Sequence, residues 1–365
     1  MNSKRYLAIA LVAVLGVRQS FAEDLTLAFE GPRMYGPIPS GLDLSLTYSG
    51  LDMDVAGGDT KLFLKTGGGY EKLSLLRDEQ TGDPWIADAD GYTFDKLNIQ
   101  WDMAFIQGFA RRGDGENLVE AFVYYRGRFE MDFQEDVGQE VFADSKGMFG
   151  TSIMGGVSYD SRVLSRHRSR DGVYIEATAE WGPGFINEKT DFWRVSSQFR
   201  GFMPVFDVPT ESGNLFNVYL AGFAGVDYAG GASVPIYVNQ SFGGRSLRDS
   251  LGATVRGYGL NKYDTTFKSV ANAEIRFVGP ALGIESVVPY LFGFADAGYY
   301  AGFTASTNYV DATGFIASTG GGFALDIFGG PQVSLIAGVR LIDDEIGYAY
   351  DPENFFWGIK FYLHF

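Results

Sequence analysis

The chain has 365 residues, a formal net charge of −16, no cysteine, and 49 glycines beside 31 phenylalanines and 21 tyrosines, with a mean hydropathy of −0.03. Without cysteine there are no disulfides, thiol nucleophiles or thiolate metal sites, and the acidic balance argues against nucleic acid as a partner. So much glycine and aromatic carbon is unusual in a soluble protein and ordinary in an outer-membrane barrel, whose interfacial girdles and curved strands use both.

At the start stand Lys4 and Arg5, an apolar run over 7–17, and Ser20-Phe21-Ala22 ahead of Glu23-Asp24. This is the pattern of a secretory signal peptide, and the run is shorter than the roughly 20 residues a spanning helix needs. A signal peptide is expected over 1–22 and one barrel domain over 23–365. No later stretch is long and uncharged enough to form a transmembrane helix.

From residue 25 onward, apolar side chains recur with a period of two, which in a strand places them on one face. In 117–131, Val119, Ala121, Val123, Tyr125, Phe129 and Met131 alternate with Glu120, Tyr124, Arg126, Arg128 and Glu130. The same holds for Val173 to Trp181 against Tyr174, Glu176, Thr178 and Glu180, and for Trp193, Val195, Phe199 and Met203 against Arg194, Ser196, Gln198 and Arg200. A face carrying only apolar groups meets lipid, and the charged face lines a lumen.

Strands are expected near 25–31, 41–50, 59–73, 94–108, 117–131, 147–160, 172–183, 191–205, 214–228, 265–278, 287–299, 315–328, 331–342 and 355–365. The fold class is all-β: a transmembrane antiparallel β-barrel of about 14 strands. Twelve and sixteen stay open because Gly31-Pro32 and Pro37 interrupt the first strand. The longest connection, 229–264, follows an outward strand, so it is external or folded into the lumen. The chain ends on FFWGIKFYLHF, in which Phe355, Trp357, Ile359, Phe361, Leu363 and Phe365 share one face.

Within the long connection lies SFGGRSLRDSLGATVRGYGL (241–260), followed by AEIRF (273–277) and FADAG (294–298). The glycine pair Gly243-Gly244, the VRGY of 255–258, those two strands and the terminal Phe365 resemble the barrel domain of the bacterial surface antigen superfamily. That superfamily includes the central subunit of the barrel assembly machinery, the translocation-and-assembly barrel and the two-partner secretion transporters. The resemblance covers roughly residues 150–365; YDSR (159–162) and DGVYIEATAE (171–180) look like its inward-strand, turn, outward-strand unit.

Strand parity puts Glu274 on the lumen side with Lys268, Asn272 and Arg276, and Asp296 with Tyr290 and Phe294. A forked guanidinium can bridge two such carboxylates. The resemblance implies that Arg256, within Arg256-Gly257-Tyr258, latches the loop in the lumen with Glu274 and Asp296 as acceptors. On residue chemistry alone Arg248 competes with Arg256, and the carboxylates could pair instead with Arg276 or Arg340.

The resemblance also implies translocation or insertion of polypeptide or lipid at a Gram-negative outer membrane, with exit where the first and last strands meet. It implies outer-membrane lipid or lipopolysaccharide and, during biogenesis, the barrel assembly machinery as partners, the latter reading Phe361, Leu363 and Phe365. Family members that move polypeptides usually carry periplasmic polypeptide-transport-associated (POTRA) domains, for which this chain has no room. A passive solute pore is the alternative function, and a homodimer through lipid-facing aromatics a structural one.

No cofactor or metal site is expected, and no enzyme. His167 sits among Arg162, Arg166, Arg168 and Arg170 with no acid to orient it, His364 is next to the terminus, and FGTSIMGG (149–156) lacks the spacing of a nucleophile elbow. The arginine cluster at 162–170 is a solvated turn or a contact for anionic lipid or an acidic partner. DPWIADADGY (83–92) lacks the glycine and glutamate of a calcium loop and is an external loop.

Overall fold

The computed structural model describes residues 25–35, 38–55, 57–74, 93–132, 148–164, 170–209, 215–239, 241–245, 247, 251–252, 254–258, 265–280, 287–302, 313–327, 330–342 and 354–364. Its strands are β1 (Leu25–Tyr35), β2 (Ile38–Val55), β3 (Gly58–Ser74), β4 (Thr93–Arg111), β5 (Asn117–Asp132), β6 (Met148–Asp160) and β7 (Val163–Leu164). They continue as β8 (Arg170–Gly182), β9 (Phe192–Pro209), β10 (Leu215–Gly230), β11 (Phe267–Val278), β12 (Val287–Ala301), β13 (Thr313–Ile327), β14 (Gly330–Arg340) and β15 (Phe355–His364). The two-residue β7 extends the β6–β8 hairpin beyond a local kink, so the wall has fourteen long antiparallel strands among the described residues. The described residues include no helix long and apolar enough to cross a membrane.

Each long strand pairs with its sequence neighbours, β6 pairs β8, and β1 pairs β15, so the pairing runs round in a ring. That is the solution a bilayer demands of strands, since no water is present to satisfy an open edge. The period of two becomes an outside and an inside. In β6, Ile153 and Val157 are exposed and Met154 between them is fully buried. In β8 and β9, Ile175, Trp181, Val195 and Phe199 face outward, while Glu176, Glu180, Arg194 and Arg200 are buried within. Near one rim the outer aromatics form a row, with ring centroids 5.2 Å apart for Trp193–Tyr228, 6.4 Å for Tyr228–Phe267 and 6.1 Å for Phe267–Tyr299. Amphipathic rings favour this level of a membrane.

The first strand corrects an expectation. It does not stop at 31: β1 runs on to Tyr35, and its register shifts between Glu30 and Arg33 against both β2 and β15. Gly31 and Pro32 occupy that bulge, where a residue without an N–H removes no ladder hydrogen bond.

The barrel interior also holds apolar material. Ala104, Ile106, Phe122, Tyr124 and Met154 form one buried cluster on β4–β6. Phe292, Phe294, Ala324 and Phe356 form another on β12–β15. Between these walls runs the connection from β10 to β11, residues 231–266, whose described part includes a single helical turn, Ile236–Asn239.

Candidate functional site: the lumen loop and its carboxylates

Three groups of lumen side chains meet the 231–266 connection in chain order. The first centres on Asp227 of β10, which is fully buried. Arg194 donates to it through Nε (2.8 Å) and Nη2 (3.1 Å), the Gly243 N–H donates at 3.0 Å, and Lys268 Nζ lies 3.3 Å away. The Ser196 hydroxyl also donates to this carboxylate. Lys268 gives a second hydrogen bond to the Asn239 carbonyl at 2.6 Å, and Arg194 Nη2 gives one to the Val238 carbonyl at 3.1 Å. The cations on the wall thereby hold the start of the loop by its backbone.

Gly243 and Gly244 pass so near the wall that side chains would not fit. A Cβ at Gly243 would lie 1.9 Å from Ser196 Oγ, and one at Gly244, whose φ is +88°, would lie 2.5 Å from Glu176 Oε1. Glycine is the residue for a left-handed backbone that approaches a partner this closely.

Beyond the pair, Arg245 reaches the wall made by β5, β6 and β8. Its N–H and Nε donate to the two oxygens of Glu176 at 2.7 and 2.6 Å, Nη1 to Glu120 Oε2 at 2.8 Å, and Nη2 to Ser158 Oγ at 2.6 Å. Its guanidinium carbon stands 4.0 Å from the Phe122 ring centroid. Gln198 Nε2 ties the same place together, donating to Glu176 at 2.7 Å and to the Arg245 carbonyl at 3.1 Å. Further on, Arg200 Nη1 donates to the Leu251 carbonyl at 2.8 Å.

Arg256 forms the third group, on β11 and β12. Nε and Nη2 make a fork on Asp296 at 2.6 and 2.7 Å, the Arg256 N–H adds a bond to Asp296 Oδ2 at 3.0 Å, and Nη1 donates to Glu274 Oε1 at 2.6 Å. Glu274 is shared: its other oxygen accepts from Arg276 Nε at 2.6 Å. Asn272 Nδ2 donates both to Asp296 and to the Thr254 carbonyl, each at 2.8 Å. The Arg256 guanidinium stacks 3.8 Å from the Phe294 centroid, which adds a cation–π contact to the fork.

Burial alone would lower the basicity of Arg256, but its hydrogen bond to Asp296 and the charge of Glu274 raise it above the ordinary arginine value. At Arg245 burial is again opposed, here by Tyr174, Glu176 and Glu120, with the same upward result. Both arginines therefore stay charged. Removing one member of such a buried set leaves an uncompensated charge and costs about 3–5 kcal/mol.

Past Arg256, Gly257 has φ +89°, and a Cβ there would meet the Phe356 ring at 2.4 Å. Its carbonyl accepts from Arg340 Nε. The Tyr258 hydroxyl donates toward the carbonyls of Ile342 (2.6 Å) and Ala317 (3.0 Å), carrying the loop on to β13 and the end of β14.

The structure thus brings Arg256, Gly257, Tyr258, Glu274 and Asp296 into one cluster, with Gly243 and Gly244 at a different point on the wall. Of the alternative pairings, Arg276 does share Glu274, Arg340 bonds the loop backbone, and Arg248 lies outside the described residues. Phe361 is exposed on the outer face and Leu363 pairs with Phe29 across the β1–β15 junction, while Phe365, His167 and residues 83–92 lie outside the described residues. The sequence pattern carries no sign of Arg245 and its acceptors as a site. Among the described residues no group of three or more His, Cys, Asp or Glu could hold a metal ion.

Fold and loop together define a transmembrane antiparallel β-barrel of outer-membrane type, with its longest connection laid along the inside of the wall. Among solved structures the chain is similar to BamA from Haemophilus ducreyi lacking POTRA domains 1-3, at a TM-score of 0.53 and 12% identity, covering 93% of this chain and 70% of that one. It is similar to CdiB from Escherichia coli, at a TM-score of 0.53 and 13% identity, covering 94% of this chain and 64% of that one. At these identities the likeness is one of fold. No protein-family model matches the sequence, and no curated protein does.

Proposed function

We propose that the protein is a surface antigen superfamily barrel that acts in translocation or insertion of polypeptide or lipid at the outer membrane, with its lumen occluded by the 231–266 loop. Arg256 is the latch that keeps the loop in place, and Glu274 and Asp296 are its acceptors. The observation that carries this reading is the fork of Arg256 on Asp296 with the further bond to Glu274, all at 2.6–2.7 Å. A loop that only narrowed a diffusion pore would not need a doubly accepted arginine buried against an aromatic ring.

Exit is assigned to the β1–β15 seam. Its ladder has two runs of three residue pairs separated by the Gly31-Pro32 bulge. The partners on this reading are outer-membrane lipid and, during biogenesis, the barrel assembly machinery. The test is single-channel conductance in a planar bilayer, wild type against Arg256→Ala. The expected result is a nearly silent wild type and flickering currents from the variant. Equal steady currents from both would make the protein a passive pore.

A further inference from the structure

We infer that Arg245 is a second anchor, which fastens the loop to a separate part of the lumen wall from Arg256. This rests on the occluding-loop reading but concerns different residues. Arg256 holds carboxylates on β11 and β12, whereas Arg245 holds Glu176 on β8 and Glu120 on β5, with Ser158 of β6 between them. In the ring order β5–β6–β8–β9–β10–β11–β12 the two acceptor sets are separate, with β9 and β10 between them.

Several features mark Arg245 as built for this. All its hydrogen-bonding nitrogens are engaged within 2.6–2.8 Å, on three different strands. Glu176 also accepts from Gln198 Nε2 and from the Tyr174 hydroxyl, so the acceptor is oriented before the arginine arrives. Arg126 Nη2 adds a bond from the β5 wall to the Gly244 carbonyl at 3.2 Å. The backbone between the two anchors is itself tied by Arg200 to the Leu251 carbonyl and by Asn272 to the Thr254 carbonyl.

A loop fixed at one end swings out when its single latch opens. A loop fastened at two places stays in the lumen until both are released, and release at one uncovers only the part that anchor holds. With Arg245 free, the side lined by Phe122, Tyr124 and Met154 would open; with Arg256 free, the side lined by Phe292, Phe294 and Phe356 would open. The two arginines would then each gate a different part of the lumen, and full clearance would need both events.

The experiment compares wild type, Arg245→Ala, Arg256→Ala, the double variant and Arg245→Lys as full chains in planar bilayers. Heat-modifiable migration first shows that each barrel is folded. The expected result is a partial conductance level in each single variant, a larger level in the double variant than in either, and an intermediate open fraction for Arg245→Lys. Lysine keeps the charge but cannot bond Glu176, Glu120 and Ser158 together. If Arg256→Ala opens the channel while Arg245→Ala behaves as wild type and adds nothing in the double variant, the second anchor is wrong and the latch stands. If only variants lacking Arg245 open, Arg245 is the anchor and the assignment of the latch to Arg256 fails. Silence of the double variant overturns both.

Discussion

The wall around β10–β12 and the seam between β1 and β15 are made by the same kind of strand pairing and differ in how completely it is carried out. β10–β11 and β11–β12 pair without a break from Asn217 to Tyr228 and from Phe267 to Val278, whereas the seam's pairing is interrupted at Glu30/Arg33. The inner side of the first wall carries Asp227, Lys268, Glu274, Arg276 and Asp296, all buried. Among the described residues, the ion pairs made by the loop go to β5, β8, β11 and β12 and none to β1 or β15. The loop's described ion pairs fall on continuous stretches of wall, while Gly257 packs close to the Phe356 ring of β15 and its carbonyl accepts from Arg340 of β14.

The comparison can be broken most severely at the seam's own strand. Deleting Phe365, the residue after β15, should leave the protein unassembled in the periplasm; normal heat-modifiable migration of that variant would count against its role as the assembly signal.

Next in size is Glu274→Ala on the continuous wall. It leaves Arg256 and Arg276 facing each other without the carboxylate they share, at a cost of about 3–5 kcal/mol. A lower temperature for conversion of the folded to the heat-denatured band is expected, and an unchanged temperature would mean that Glu274 does not bear on stability.

Amide exchange sharpens the comparison more gently. Backbone amides of 28–30 and 362–364 should exchange on the order of tenfold faster than those of 270–276, equivalent to about 1.4 kcal/mol of local stability. Equal protection would remove the distinction between seam and wall.

Much of this was legible in the residue order, for a physical reason. A strand in a bilayer must segregate polar from apolar groups at every second position, so Val119 to Met131, or Lys268 to Arg276, declare both their state and their inner face. The alternation predicts a strand over 265–278, and β11 runs from Phe267 to Val278. The end of β1 was not legible, because Gly31-Pro32 reads locally as a break and only the bulge on both neighbours lets the strand pass. Parity turns Glu274 and Asp296 inward, but only the resemblance names them as the acceptors of Arg256. Nothing comparable names Arg245. Parity says which face Glu120 and Glu176 occupy but not their height in the lumen, and their cation comes from 125 and 69 residues away in sequence.

The most direct test of the central claim, that the loop is held inside the lumen, is a spin-label distance between Thr254→Cys in the loop and Phe185→Cys on the exposed β8–β9 turn, with no native cysteine to interfere. Measured in outer-membrane vesicles, wild-type background should give one narrow distance distribution that broadens when Arg256→Ala is added. A distribution equally broad in both would contradict the account, since a loop that samples the same space without Arg256 is not held by it.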